Sequence, residues 1–196
     1  MSTPAGERLI TAASALFYRH GIRAVGVDLI AETAGTTKKT LYDRFGSKDA
    51  LVALYLERRT VAWQTFLEEH MRGRPLVEVF DVLALWLVDQ DRGCGFVNAF
   101  AEIGGTGHPA ERVIRAEKDW MRDHLVARAL AEGHPASAGI ALHLLYEGAT
   151  VLATAGGNPD APAQAKASAL AVLHPPADQQ GERGQQHDHD HDLAQR

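Results

Sequence analysis

The residues with the clearest chemistry fall in one run, Ile30-Ala31-Glu32-Thr33-Ala34-Gly35-Thr36-Thr37-Lys38-Lys39-Thr40-Leu41-Tyr42. Ammonium, hydroxyl and phenol groups follow a single glycine there. At the start of a short helix, Lys38, Lys39 and Thr40 would face base edges in a DNA major groove, where lysine donates to guanine O6 and N7. Thr37, the Tyr42 hydroxyl and Lys48 are spaced to hold phosphates, which orient a protein on the duplex without reading its sequence. Thr36 completes this candidate set. The plainer alternative is that the lysines form a solvated helix face and Tyr42 a half-buried core residue.

Positioning these groups requires two short helices and a tight turn. Val27, Ile30, Ala31 and Ala34 share one face of a helix that halts at Gly35, and Thr37 is placed to cap a second helix over 38–45. Ala31 supplies a small side chain and Gly35 a left-handed backbone where the helices cross, and Leu41 locks the pair. The pattern is a helix-turn-helix. A preceding helix is expected over 7–18, stopping at Gly21, and a long one from Lys48, capped by Ser47, to about Met71. Five more follow, over 76–90, 96–103, 109–132, 136–155 and 160–173, punctuated by Gly- and Pro-rich breaks. No β-branched alternation bounded by hairpin turns interrupts them, so the expected fold class is all-α with about nine helices.

Charge divides the chain. Its 196 residues carry a net −5, yet residues 1–59 hold nine Lys/Arg against six Asp/Glu, a local +3. A polybasic coat is excluded, and any nucleic-acid surface must be local. The single cysteine, Cys94, excludes an intrachain disulfide and a cysteine-based zinc site. The longest apolar stretch read here, Val79 to Val88, is interrupted by Asp81. No membrane segment or targeting signal is expected, and the reading is cytoplasmic. No nucleophile–base spacing or phosphate loop calls for an enzyme, and no motif calls for a cofactor.

From Glu7 to about Leu54 the sequence resembles the N-terminal domain of TetR/AcrR-type transcriptional regulators, through Ile30-Ala31, Ala34-Gly35, Thr40-Leu41-Tyr42, Phe45 and Lys48. Gly26 departs from that pattern, which usually has Ser or Thr capping the helix. The resemblance implies a homodimer on double-stranded operator DNA, a ligand-binding helical bundle behind the DNA-binding part, and most often repression. The expected division is a DNA-binding domain over 1–47, an effector and dimerisation domain over 48–174, and a disordered tail over 175–196.

In the bundle, Trp63, Phe66, Phe80, Trp86, Phe96, Phe100, Trp120 and Tyr146 are expected to converge, with Asn98, Glu102, His124 and His143 as candidate polar groups for a small-molecule effector. Core packing is the bland alternative for each ring. Cys94 has only Arg92 fixed beside it by sequence, and structural indifference is the expectation. The alternating His187-Asp188-His189-Asp190-His191-Asp192 could chelate a metal weakly, giving a metal-responsive regulator as the rival reading. Small residues of the last two helices, Gly139, Ala141, Gly148, Ala149, Ala153, Ala167 and Ala169, permit close helix approach; dimerisation through a four-helix bundle is what the resemblance implies.

Overall fold

Thr3 opens helix α1 (Pro4–His20) before the apolar spacing does, because its hydroxyl accepts a bond from Gly6 N and Pro4 sits where a missing N–H costs nothing. The computed structural model describes residues 3–175, and every regular element among them is helical. Helices α2 (Val27–Thr33), α3 (Lys38–Phe45) and α4 (Lys48–His70) follow, then α5 (Val79–Leu87), α6 (Gly95–Ile103), α7 (Ala110–Ala131), α8 (Ala136–Thr154) and α9 (Ala161–Leu173). The all-α reading holds. Ser47 and Thr37 cap as expected, whereas Gly26 offers no side-chain cap. The tail beyond Pro175, including His187 to Asp192, lies outside the described residues.

One predicted helix is divided. Instead of a continuous helix over 76–90, a 3₁₀ turn, Leu76–Glu78, leads into α5, which stops at Leu87. The Glu132 carboxylate takes Leu76 N at 2.8 and 3.0 Å, fixing the tight start. Beyond Leu87 no apolar face remains to hold another turn: Val88 is 77% exposed.

Two cores are strung on α4. The first joins Leu9, Ile10, Phe17, Ile30, Leu41 and Leu51, and draws in Phe96, Ala99 and Ile103 from α6. The second joins Trp63, Leu67, Phe80, Met121, Leu125 and Leu142. Helix α4 contributes Leu56 to the first and Trp63 to the second, so one helix runs through both cores.

Helix α8 corrects the apolar reading: by length and composition it could cross a bilayer, which Val79 to Val88 could not. It packs between α7 and α9. At Gly139 an added Cβ would lie 2.5 Å from Val126 Cα, so that glycine serves the α7–α8 contact within one chain. Ile140, Leu144, Val151 and Leu152 of α8, with Leu170 and Val172 of α9, remain exposed.

Candidate functional site

Helix α3 is presented to solvent by a single fully buried anchor. Leu41 is its only buried residue. Before it, Gly35 takes φ +60°, letting Thr36 N donate to Ala31 O at 2.9 Å and close the end of α2. Thr37 Oγ1 accepts from Thr40 N at 3.2 Å and lies 2.9 Å from Thr40 Oγ1, which fixes the first turn of α3. Lys38 and Lys39 extend from that turn, paired with Asp28 at 3.1 Å and Asp43 at 2.6 Å. Exposed pairs of this kind contribute about 0–1 kcal/mol, so either ammonium exchanges its partner for a base edge or phosphate at little cost. Tyr42 is 43% exposed, beside the buried Leu41.

Lys48 sits differently from its sequence-level role. Its Nζ donates inward to Ile22 O at 2.6 Å and lies 6.0 Å from the centre of the Phe17 ring, and burial lowers its pKa. In this structure it ties α4 to the α1–α2 loop rather than presenting its charge outward.

That loop is also held from the bundle side. Ile22 N and Arg23 N donate to the Glu102 carboxylate of α6 at 2.9 and 2.7 Å. Tyr18 OH donates to Gly93 O and accepts from Arg92 N, both at 3.1 Å, while Arg92 Nη1 donates to Arg19 O at 2.7 Å. Glu102, expected in the pocket, is therefore a clamp on the DNA-binding part. Asn98 serves the same region, its Nδ2 donating to Arg92 O at 2.7 Å.

The expected aromatic convergence is partly realised. Trp63, Trp86, Phe96 and Tyr146 line one cavity, with Trp63 and Trp86 edge to face at 5.2 Å. Phe66 backs them, 5.0 Å from Trp86 and stacked on His70 at 4.0 Å. Phe80 is fully buried in the second core and away from the cavity, and Phe100 is 45% exposed. Trp120 lines an open groove beside Val61 and Ala116, stacked on His124 at 5.1 Å. Helical spacing groups residues by face without saying which face meets a cavity, and these rings lie on other faces.

The charges of the cavity wall were missed in sequence. Glu117 is 3% exposed, and Lys118 Nζ lies 3.3 Å from Glu117 Oε2 and 2.8 Å from Glu147 Oε1. Adjacent Glu117-Lys118 reads as an ordinary helix surface, so only packing reveals it. Burial pushes the Glu117 carboxyl up; for Lys118, burial opposes the charge, but Cys94, Glu117 and Glu147 outweigh it and raise its pKa. Lys118 Nζ is also 3.6 Å from Cys94 Sγ, which corrects the expectation that only Arg92 neighbours the thiol.

His124 gives a pH prediction. Burial, then Arg128, lowers its pKa below 6.5, Glu68 opposing, and its Nε2 is buried with no partner among the described residues. An imidazole harder to protonate folded than unfolded contributes stability fully above pH 6.5, lost as pH falls through the lower folded value. Urea melts from pH 7.5 to 5.0 should therefore show His124→Phe losing less stability than the unsubstituted chain. Parallel losses would assign the acid sensitivity elsewhere.

The comparisons bear on this arrangement. Residues 9–55 match the family model described as bacterial regulatory proteins, tetR family. A TetR-family transcriptional regulator from Streptomyces coelicolor superposes with a TM-score of 0.74 at 28% identity, covering 87% of this chain and 94% of that one. Residues 9–55 are thus a tetR-family segment, set in a fold like that of TetR-family regulators. A TetR-type regulator from Streptomyces avermitilis gives the same TM-score and identity over 87% and 98% of the two chains. The HTH-type transcriptional activator FasR of Mycolicibacterium smegmatis is 36% identical over 88 residues, 39% of this chain. That match spans 40% of the FasR length. Within the matched segment, α2 and α3 are the helix-turn-helix.

Proposed function

We propose that the chain is a homodimeric repressor that reads operator DNA with the first turn of α3 and leaves it when a small molecule binds in the bundle. The carrying observation is that Lys38, Lys39 and Tyr42 are exposed together on a helix whose only buried residue is Leu41. The functional division is a DNA-binding part over 1–47 and an effector and dimerisation part over 48–174. The exposed apolar side chains of α8 and α9 supply a face on which two copies would bury surface. An effector preferring one spacing of the two α3 helices weakens DNA binding by its differential affinity for the two states.

Salt titrations with selected and random duplexes test the roles. Tyr42→Phe should weaken both duplexes alike, because a phosphate contact carries no sequence information. Lys38→Ala or Lys39→Ala should cost about 1–3 kcal/mol on the selected duplex and little on the random one. Equal losses on both duplexes would make the lysines phosphate contacts, and unchanged binding in all three variants would remove the α3 surface as the reader.

A further inference from the structure

Around the aromatic cavity the charges are unequally compensated. Lys118 is satisfied by two carboxylates, Glu117 and Glu147. Arg59, also on the cavity wall, has no carboxylate within 4.0 Å of its guanidinium among the described residues. Its Nη2 donates to the neutral Gln90 side chain at 2.6 Å, and its guanidinium lies 4.5 Å from the centre of the Tyr18 ring and 5.9 Å from that of Trp86. Ring faces and an amide carbonyl leave a full positive charge without a counterion among the described residues. Nearby, Trp63 Nε1 is a buried donor with no acceptor among the described residues, on a residue 3% exposed. A buried donor left unpaired costs free energy that an incoming acceptor recovers.

From this geometry we infer that the effector is a flat aromatic or apolar acid whose carboxylate pairs with Arg59 and whose body lies among Trp63, Trp86 and Phe96. This deepens the proposed effector reading and rests on it for location. Guanidinium suits the role, since its planar fork pairs with a carboxylate through parallel hydrogen bonds. The buried Glu117 carboxylate does not call for a further cation in the same space, because the Lys118 ammonium already lies 3.3 Å from it.

The inference supplies a route to the DNA-binding part. The cavity holds about 30 Å³ in this structure, well below the volume of a drug-sized ligand site, so a two-ring acid enters by displacing a wall. One wall runs from Leu87 to Gly93-Cys94 through the segment after α5, which is weakly anchored, Val88 being 77% exposed. A carboxylate at Arg59 replaces Gln90 as its acceptor and frees that segment. The same segment holds Tyr18 OH through Arg92 N and Gly93 O, so its release loosens the end of α1.

A charge series on one ring system tests this: 2-naphthoate, 2-naphthamide and 2-naphthylmethylammonium, titrated calorimetrically against the full-length chain. Naphthoate should bind at least about tenfold more tightly than either other probe, the factor of one charge-assisted hydrogen bond. Arg59→Gln should erase the preference and Arg59→Lys keep part of it, with circular dichroism melts reporting whether each variant folds. Amide or ammonium binding as tightly as naphthoate, no naphthoate binding, or a preference surviving in Arg59→Gln overturns the inference. Fluorescence anisotropy of labelled duplex separates the two claims. Arg59-dependent naphthoate binding that leaves DNA affinity unchanged sinks the effector reading alone, whereas DNA release by the ammonium or amide probe sustains that reading and sinks the acid.

Discussion

Leu41→Ala is expected to remove specific DNA binding by freeing α3 from the domain. The helix has eight residues, too short to persist in water unaided, and Leu41, at 0% exposure, is its only buried side chain. Truncating a buried leucine costs about 2–5 kcal/mol, through lost transfer energy and the cavity left behind. Phe45 packs partly against the same core and cannot replace the anchor. Because the second core draws on none of α1 to α3, the melt of the bundle should be shifted less than that of the DNA-binding part. Hydrogen exchange should show α3 amides losing protection, with protection of α7 and α8 retained. Retained α3 protection and unchanged duplex affinity in the variant would contradict this account of how the reading surface is held.

Glu102→Ala is expected to cut the clamp between α6 and the α1–α2 loop. A carboxylate accepting two backbone N–H groups makes charge-assisted bonds worth about 1.5–3 kcal/mol each, and water restores the exposed Arg23 amide more readily than that of Ile22. The expected loss is about 2–5 kcal/mol of stability, with weaker duplex binding. Glu102→Gln retains one acceptor oxygen but turns an amide toward the second N–H, so it should fall between the two. Denaturant melts and duplex titrations read both effects. If the alanine variant matches the unsubstituted chain in each, the Glu102 contact is idle and the remaining ties, through α4, Tyr18 and Arg92, suffice to join the two parts.

Local signals in the sequence were reliable where capping and turn chemistry decide the structure. Thr37, Ser47 and Gly35 each play the part their residue types dictate, and the boundaries of α3 coincide with those read from pattern. The division of the helix predicted over 76–90 was not legible, because it depends on Glu132 reaching Leu76 from far along the chain. Contacts across long sequence separations also set the candidate sites. Lys48 turning to Ile22, Glu102 clamping the same loop and Lys118 joining Glu117 to Glu147 leave no periodic trace. The aromatic rings were found as a population, but membership of the cavity required knowing which face of each helix meets it: Trp63 faces in, and Phe100 does not. Arg59 left no trace in the sequence either, because its meaning lies in having no carboxylate partner among the described residues.

Selection from a random duplex library with the full-length chain tests the central claim most directly. A two-fold dimer reading through α3 predicts enrichment of two inverted half-sites, their centres about 34–36 Å apart or a multiple of it along the helix. Lys38→Ala and Lys39→Ala should each blur the same positions in both halves. An unenriched pool, or a motif that both variants return unchanged, would contradict the account.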